Sequence, residues 1–261
     1  RWLWGQFSPD IILAISNTDA ERFKALFPCA KISVMPNMKF DTISVAGRDL
    51  HGTPVSLPFL ISSICRPLSI LASVREEEES DVLVILDQIL SRFPEQVVGL
   101  FPRHMHRIEF WKKTLAKTGR RWMLRSEIAK PLSSGTVILW DTFGELKSAY
   151  ALATVAFVGG SLKPLGGHNF IEPIASGVAT VIGPFVDDFA WVGEEIFSNK
   201  VVRRAANRDE VVEFIVSTLK NPPDRKEVVE KGLVYLRASQ GGTAMACNMI
   251  RDLMQKIANI V

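Results

Sequence analysis

The chain has 261 residues, of which 47% are hydrophobic and 23% charged, a composition typical of a globular protein with a substantial core. The formal net charge of +3 is too small to indicate a nucleic-acid-binding protein. Cys29, Cys65 and Cys247 are isolated and odd in number, which argues against a disulfide framework or a zinc site and fits a reducing compartment. No apolar run approaches the length of a membrane-spanning helix.

The first part of the chain predicts a short αβ segment followed by a connection. The aromatic residues Trp2, Trp4 and Phe7 form a cluster that predicts packing on the body of the protein or on a partner. Apolar runs predict strands at 10–15 and 32–35, and several N-cap residues precede a predicted helix at 19–26. From about 41 to 66 the periodicity is lost among glycines and prolines, which predicts an inter-domain connection.

The rest of the chain alternates apolar strands with amphipathic helices. Such alternation predicts a parallel sheet covered by helices on both faces. The predicted strands lie at 68–74, 96–101, 121–125, 136–140, 155–158, 179–182 and 201–204. The predicted helices lie at 77–93, 105–118, 145–154, 188–199, about 211–219, 224–238 and 243–261, the last with Met249, Ile250, Leu253 and Ile257 facing inward.

A glycine-rich stretch from Phe157 to Pro184 is the most distinctive part of the chain. An apolar strand ends in Gly159-Gly160-Ser161, a second pair follows at Gly166-Gly167, and a helix is predicted to begin at Asn169, its cap, with Glu172 at capping-box spacing. Glycines and exposed N–H groups at a helix start favour a phosphate. A tight turn whose glycines solve only local geometry is the alternative. The spacing is neither that of a Rossmann fingerprint nor that of a Walker loop.

Polar residues follow several of the predicted strands. In a parallel sheet, ligands bind beyond the carboxyl ends of the strands, so these residues are expected to share one edge. Arg103 is either a phosphate ligand or a surface charge. Glu172 is a candidate to accept hydrogen bonds from ribose hydroxyls and a candidate to cap its own helix, and the two roles do not exclude each other. His168 is either a ligand contact or a structural hydrogen-bonding residue. The residues at the expected edge are Ser73, Arg75, Arg103, His104, Asp141–Glu145 and the glycine loop.

Four motifs together resemble the family of Kdo transferases, which move 3-deoxy-D-manno-octulosonic acid (Kdo) from its CMP-activated form onto lipid A. The stretch FVGGSLKPLGGHNFIEP resembles the family signature FVGGSLxxxGGHNxxEP. The segments at 101–107, 141–146 and 37–41 are similar to the family's PRHPER, DTMGEL and GNLKFD segments, in the family's order. At 73–78 the chain departs from the family's Ser-Thr-His-x-Gly-Glu-Glu pattern, because Glu77 replaces its glycine.

This resemblance implies an α/β fold of the GT-B type, with a Rossmann-like parallel sheet and helices on both faces. Residues 1–45 would be the tail of the N-terminal acceptor domain and 46–66 the inter-domain connection. Residues 67–261, helical at their end, would be the C-terminal donor domain. The chain is therefore expected to be a fragment that lacks most of the N-terminal domain and is inactive alone.

The resemblance further implies an inverting glycosyltransferase that uses CMP-Kdo as donor and needs no metal or other cofactor. The family's CMP contacts carry over to Pro102, Arg103, Phe143, Gly144, Glu145, Asn169, Phe170, Ile171 and Glu172. The implied acceptor is a lipid A precursor in lipopolysaccharide core biosynthesis, at the cytoplasmic face of the bacterial inner membrane, with no role for nucleic acid. The catalytic base, a glutamate of the family's N-terminal domain, corresponds to no residue here. Another GT-B transferase or epimerase using a UDP-sugar, or a non-catalytic nucleotide-binding module, is the alternative.

Overall fold

The structure of the protein is a computed structural model that describes residues 8–43 and 68–258. The predicted connection at 46–66 and the cluster of Trp2, Trp4 and Phe7 lie outside the described residues. The chain divides into two compact units, one formed by Arg1–Val45 with Val234–Val261 and one formed by Ala46–Leu233. The predicted domain boundaries stay a prediction.

The secondary structure alternates strands with helices along most of the described chain. The strands are β1 (Ile11–Ala14), β2 (Lys31–Val34), β3 (Leu68–Val74), β4 (Val97–Pro102), β5 (Trp122–Leu124), β6 (Val137–Leu139), β7 (Ala153–Val158), β8 (Ala179–Ile182) and β9 (Arg203–Arg204). The α-helices are α1 (Asn17–Leu26), α2 (Glu79–Arg92), α3 (Ile108–Lys117), α4 (Leu146–Tyr150), α5 (Ile171–Ala175), α6 (Glu195–Ser198), α7 (Arg208–Lys220), α8 (Arg225–Ala238) and α9 (Gly242–Ala258). Short 3-10 helices lie at Met38–Thr42, Glu76–Glu78, Met105–Arg107, Arg125–Glu127 and Asp187–Val192.

The unit Ala46–Leu233 is built on a seven-stranded parallel sheet in the order β5-β6-β4-β3-β7-β8-β9. The central strands are apolar on both faces because helices cover both sides. In β3, Leu71 and Val74 belong to one core cluster, whereas Leu68 and Ile70 belong to a second cluster on the opposite face. The predicted fold class, a parallel sheet with helices on both faces, is confirmed.

The strand order reverses at β3, which lies in the centre of the sheet between β4 and β7. After β3 the chain builds β4, β5 and β6 on one side and then crosses to β7, β8 and β9 on the other. In open parallel sheets, such a switch point leaves a crevice beyond the carboxyl ends of the two adjacent strands. The ends of β3 and β7 therefore define the position where a ligand is expected.

Two predicted helices are shorter in the structure. The helix predicted at 145–154 is limited to α4, because Ala153 already pairs with Leu68 in the sheet. The helix predicted at 188–199 is a 3-10 helix followed by α6, and Gly193, at φ 92°, interrupts it. A positive φ does not fit a continuous right-handed helix, so periodicity alone overestimated the length of this element.

In the unit that contains the chain's N-terminal residues, β1 and β2 pair in parallel, and α1 connects them. The N-cap is Ser16, whose hydroxyl accepts a hydrogen bond from the N–H of Asp19 at 3.0 Å. Asp41 binds the start of α9, because its carboxylate accepts hydrogen bonds from the N–H groups of Gly241 at 2.7 Å and Thr243 at 2.6 Å. The Asp of the sequence segment at 37–41 is therefore a helix cap that joins distant parts of the chain.

The Asp41 cap predicts an acid-dependent loss of stability. The N–H of Thr243 and then that of Gly241 lower the pKa of Asp41 below its ordinary value of 3.8. A carboxylate with a lowered pKa stabilises the folded state above its unfolded pKa, and this contribution is lost as pH falls through the folded pKa. Urea denaturation between pH 7 and pH 3 is expected to show Asp41→Asn less stable than wild type, with a difference that shrinks below pH 3.8. A difference independent of pH would contradict this assignment.

The prediction that Met249, Ile250 and Leu253 of the last helix face inward is wrong. Ile250 is 58% exposed and Leu253 37% exposed, and Met249 is only half-buried. The side chain of Ile257 is outside what the structure describes. Helical periodicity places these apolar residues on one face of the helix, but tertiary packing decides whether that face is buried.

Candidate functional site

The carboxyl ends of β3, β4, β6 and β7 lie side by side at one edge of the sheet. The N–H of Arg103, after β4, donates to the carbonyl of Val74 in β3 at 2.8 Å. On the other side of β3, the N–H of Gly159 donates to the carbonyl of Ala72 at 2.8 Å. The segments after these strands are the ones that the sequence predicted to share one edge, and the strand order brings them together.

Three basic side chains at this edge act electrostatically on the imidazole of His168. Burial lowers the pKa of His168 to about 4, and the charges of Arg103 and Arg75 act in the same direction. His104 adds a smaller effect of the same sign, whereas Asp188 opposes it. His168 is therefore neutral at pH 7, and its buried Nε2 atom has no hydrogen-bond partner within the described residues. We call Arg75, Arg103, His104 and His168 the basic cluster.

The guanidinium of Arg103 is exposed and forms no ion pair with any carboxylate of residues 8–43 and 68–258. Pro102 ends β4 directly before it and pairs with Val74. An arginine without an internal partner, at the carboxyl edge of a parallel sheet, is suited to bind a phosphate in bidentate fashion. Of the two interpretations of Arg103 from sequence, the geometry favours the anion ligand.

The first glycine pair does not offer its N–H groups to a ligand, because both already have partners within the protein: Gly159 donates to the carbonyl of Ala72, and Gly160 donates to the carboxylate of Glu78. Glu78 is completely buried, and its Oε1 atom accepts hydrogen bonds from Gly160 at 2.6 Å and Arg75 at 3.0 Å. Its Oε2 atom accepts from the N–H of Leu162 at 3.4 Å. The expectation that this part of the loop cradles a phosphate with free N–H groups is therefore corrected: the anion in the cradle is internal.

The sequence assigned no role to Glu78, which is one of four consecutive glutamates at 76–79. Burial raises the pKa of Glu78, and the N–H donors of Arg75 and Gly160 partly offset this effect. Its neighbour Glu79 is also buried but pairs with Arg107, with Nη2 and Oε2 separated by 2.5 Å. Four consecutive glutamates carry no signal of which ones turn inward, so only the three-dimensional structure could identify these roles.

The second glycine pair shapes the loop around His168. Gly166 and Gly167 have φ values of 83° and 82°, and the N–H of Gly167 donates to the carbonyl of Gly160 at 2.8 Å. A Cβ atom added to Gly160, at φ 69°, would lie 2.8 Å from Cδ2 of His168. The ring of His168 therefore packs directly against the backbone at the end of β7, which leaves no space for a side chain at Gly160.

The segment from Asn169 to Glu172 presents two of its four side chains to solvent. The Oδ1 atom of Asn169 accepts from the N–H of Ile171 at 3.0 Å, and its amide donates to Oε1 of Glu172 at 2.9 Å. The helix begins at Ile171 with Phe170 at its N-cap position, so the prediction of Asn169 as the cap is wrong, although the Asn169 side chain still accepts the first N–H of the helix. Phe170 is fully buried and Ile171 is 2% exposed. Only backbone atoms of these two residues can face a ligand, whereas Asn169 and Glu172 can use their side chains.

The loop between β6 and α4 contributes the remaining predicted residues. Phe143 is 81% exposed, and Gly144 has a φ of 79° with open space around its Cα atom. Glu145 is 9% exposed, and its Oε2 atom accepts from Nε1 of Trp140 and from Oγ1 of Thr142, each at 2.8 Å. Glu145 therefore holds the loop in place with its carboxylate, and Phe143 and the backbone of Gly144 are what the loop presents to solvent.

Neither a metal centre nor a membrane span is evident in the described residues. Across residues 8–43 and 68–258, no group of three or more His, Cys, Asp or Glu side chains is arranged to hold a metal ion. None of the helices that the structure describes combines the length and apolarity that crossing a membrane requires. His104 and His106 stack with ring centroids 5.4 Å apart.

No family model matches the chain, but individual relatives do. Among curated proteins, the Kdo transferase of Haemophilus influenzae is 27% identical over 97% of this chain and 59% of its own length. That of Chlamydia trachomatis serovar D is 30% identical over 94% of this chain and 56% of its own length. The chain therefore spans little more than half the length of these relatives.

Two solved structures extend the comparison, one to the fold and one to the family. The trehalose 6-phosphate synthase of Burkholderia multivorans, at 12% identity and a TM-score of 0.55, covers 97% of this chain and 61% of its own and shows the fold alone. The C-terminal CMP-Kdo binding domain of WaaA from Acinetobacter baumannii is 30% identical, with a TM-score of 0.59. That match covers 66% of this chain and 89% of the domain. The fold, the motifs at the carboxyl edge of the sheet and this degree of identity together establish that the chain belongs to the Kdo transferase family of GT-B glycosyltransferases.

Proposed function

We propose that the protein to which this chain belongs transfers Kdo from CMP-Kdo to a lipid A precursor in lipopolysaccharide core biosynthesis. The unit Ala46–Leu233 would bind the CMP-activated donor at the carboxyl edge of its sheet. The observation that carries this proposal is the exposed guanidinium of Arg103, which has no ion pair among the described residues and lies with Arg75 and His168 at the strand-order switch of a domain related to a CMP-Kdo binding domain.

The proposed donor contacts divide between the parts of CMP. Arg103, with Pro102 ahead of it, would bind the phosphate, and backbone N–H groups at Gly144 and Glu145 would add hydrogen bonds. The carboxylate of Glu172 would accept hydrogen bonds from the ribose hydroxyls, supported by Asn169. Phe170 and Ile171 would contribute backbone atoms alone, because their side chains are buried. The exposed ring of Phe143 would lie over the remaining face of the nucleotide.

The proposed reaction is a direct displacement at the anomeric carbon of Kdo, with inversion. A hydroxyl of the acceptor attacks this carbon and gives up its proton to a general base, while the bond between this carbon and the phosphate oxygen breaks and CMP leaves with the bonding electrons. Negative charge grows on the leaving phosphate, and a fixed guanidinium stabilises such a charge without reorganisation. The proposed displacement uses no metal ion, and we assign no catalytic base to this chain. The proposed site of action is the cytoplasmic face of the bacterial inner membrane.

Calorimetric titration of the chain with CMP, UMP and UDP tests the donor assignment. We expect saturable binding of CMP and a 10- to 100-fold weaker affinity in Arg103→Ala, because a charge-assisted hydrogen bond contributes about 1.5–3 kcal/mol. Glu172→Ala is expected to weaken binding about three- to tenfold. The expected loss of CMP affinity is smaller for Glu172→Ala than for Arg103→Ala, because removing the carboxylate also removes its repulsion of the phosphate.

Arg92→Ala is the matched control for the loss of a positive charge. Arg92 is exposed in the last turn of α2, a helix that begins after β3 and runs to the opposite edge of the sheet. Its replacement should leave CMP affinity unchanged. If the chain preferred a uridine nucleotide, the fold assignment would stand, but Kdo transfer would be excluded in favour of a UDP-sugar enzyme. If Arg103→Ala bound CMP with the same affinity as wild type, Arg103 would not be part of the donor site.

A further inference from the structure

The buried carboxylate of Glu78 lies at the strand-order switch and joins the ends of the two strands that form it. On the β3 side it accepts the N–H of Arg75 at 3.0 Å. On the β7 side it accepts the N–H of Gly160 at 2.6 Å and that of Leu162 at 3.4 Å. A side chain on Gly159 would also collide with its Oε1 atom, so the loop backbone closes tightly around this group.

Glu78 differs from the other buried glutamates near the sheet edge in having no cationic partner. Glu79 pairs with Arg107 and Glu145 pairs with Arg125, whereas Glu78 forms no ion pair with any residue that the structure describes. Removing a carboxylate from water without a counter-ion is costly, and backbone N–H groups offset part of that cost here. Such a group is retained at a cost to stability, which points to a role in holding a particular loop conformation.

Gly160 connects the carboxylate of Glu78 to the basic cluster, because it contacts both. The carbonyl of Gly160 accepts the N–H of Gly167 at 2.8 Å, which closes the loop that carries His168. The ring of His168 rests against Gly160 itself. The same Oε1 atom of Glu78 also accepts the N–H of Arg75 and so fixes the backbone of this residue, whose charge acts on the same imidazole.

We infer that Glu78 is a positioning residue of the donor site: its carboxylate occupies the anion cradle of the glycine loop and thereby sets the places of Arg75 and His168. The donor phosphate is consequently directed to the guanidinium of Arg103 and not to the N–H groups of Gly160 and Leu162. This inference rests on the proposed function for the identity of the ligand, whereas the effect on the loop can be measured without any ligand.

The experiment compares Glu78→Gln with Glu79→Gln in the full chain. Both substitutions neutralise a buried carboxylate in the same turn, but only Glu78 contacts the glycine loop. A glutamine at 78 turns one acceptor into an N–H donor that opposes the donors of the loop. We expect Glu78→Gln to raise the Kd for CMP at least tenfold and to speed amide hydrogen exchange at Gly160 and Leu162 at least tenfold. Glu79→Gln should lower the unfolding temperature and change neither quantity.

Each outcome separates this inference from the proposed function. If wild type binds CMP and Glu78→Gln binds it with the same Kd, the positioning role is excluded although the donor assignment stands. If wild type does not bind CMP, the donor assignment fails, and equal hydrogen exchange at Gly160 in the two variants would also exclude the control of the loop by Glu78.

A measurement on wild type alone keeps the inference testable if Glu78→Gln does not fold. Amide resonances of Gly160 and Leu162 should shift little when CMP is added, because their N–H groups stay with Glu78. The guanidinium resonance of Arg103 should shift strongly. A large shift of the Gly160 amide with none at Arg103 would mean that the phosphate displaces the carboxylate, and it would overturn the inference.

Discussion

Gly160→Ala is expected to destabilise the protein by about 2–5 kcal/mol and to weaken CMP binding. Two effects add: an alanine in the left-handed region at φ 69° costs about 1–2 kcal/mol, and crowding in a packed site costs about 1–3 kcal/mol more. The crowding arises because the new Cβ atom would lie 2.8 Å from Cδ2 of His168. Displacing that ring changes the basic cluster, so the loss of affinity should accompany the loss of stability. Urea denaturation and CMP titration measure the two effects.

Gly119→Ala is the control that separates the two contributions. Gly119 has nearly the same φ, 68°, but nothing lies within 4 Å of an added Cβ atom. Gly119→Ala should therefore reduce the free energy of unfolding only by the conformational contribution, about 1–2 kcal/mol, and leave the CMP affinity unchanged. If both variants lost the same stability, the close packing of His168 against Gly160 would be contradicted.

Trp140→Ala is expected to reduce the free energy of unfolding by about 3–5 kcal/mol, the range for truncating a large buried aromatic side chain. Trp140 is 1% exposed and stacks on Phe101 with ring centroids 4.2 Å apart. Its Nε1–H group also donates to Glu145 at 2.8 Å, and Glu145 holds the loop that presents Phe143 and Gly144. The truncation should therefore weaken CMP binding as well as stability.

Trp140→Phe distinguishes packing from the hydrogen bond. A phenylalanine keeps an aromatic ring against Phe101 but lacks the N–H donor, so most of the stability should return. Glu145 would lose one of its donors, and a residual loss of about 1–3 kcal/mol is expected for a buried hydrogen bond to a charged group. Denaturation of both variants provides the comparison. A Trp140→Phe variant as unstable as Trp140→Ala would assign no stabilising role to the stacked ring.

The fold could be predicted from the sequence because it follows from local patterns of apolar residues. The apolar strands at 68–74 and 155–158 are buried on both faces, and this double burial leaves continuous runs of apolar residues that can be read directly. The rule for ligand position in parallel sheets then brought Arg103, the segment at 141–145 and the glycine loop to one edge. The family resemblance came from short motifs, which can be compared along the chain without knowledge of the fold.

Other features depended on contacts between residues distant in the chain. The length of α4 was overestimated because the start of β7 is set by pairing with β3, not by helical periodicity. The apolar face of α9 was predicted to be buried, but Ile250 and Leu253 are exposed. Phe170 and Ile171 were predicted to bind the nucleotide, yet their side chains belong to the core, and at most their backbone can take part.

The sequence by itself determined the class of sheet, the order of its elements and the motifs that identify the family, since these follow from residue type and spacing. Only the tertiary structure decided which carboxylate enters the glycine loop, because Glu76, Glu77, Glu78 and Glu79 are identical in type and adjacent in the chain. Gly160 lies 82 residues from Glu78, so their hydrogen bond depends on the pairing of β3 with β7. The pairing of β3 with both β7 and β4 assembles the basic cluster from segments that are distant in the chain.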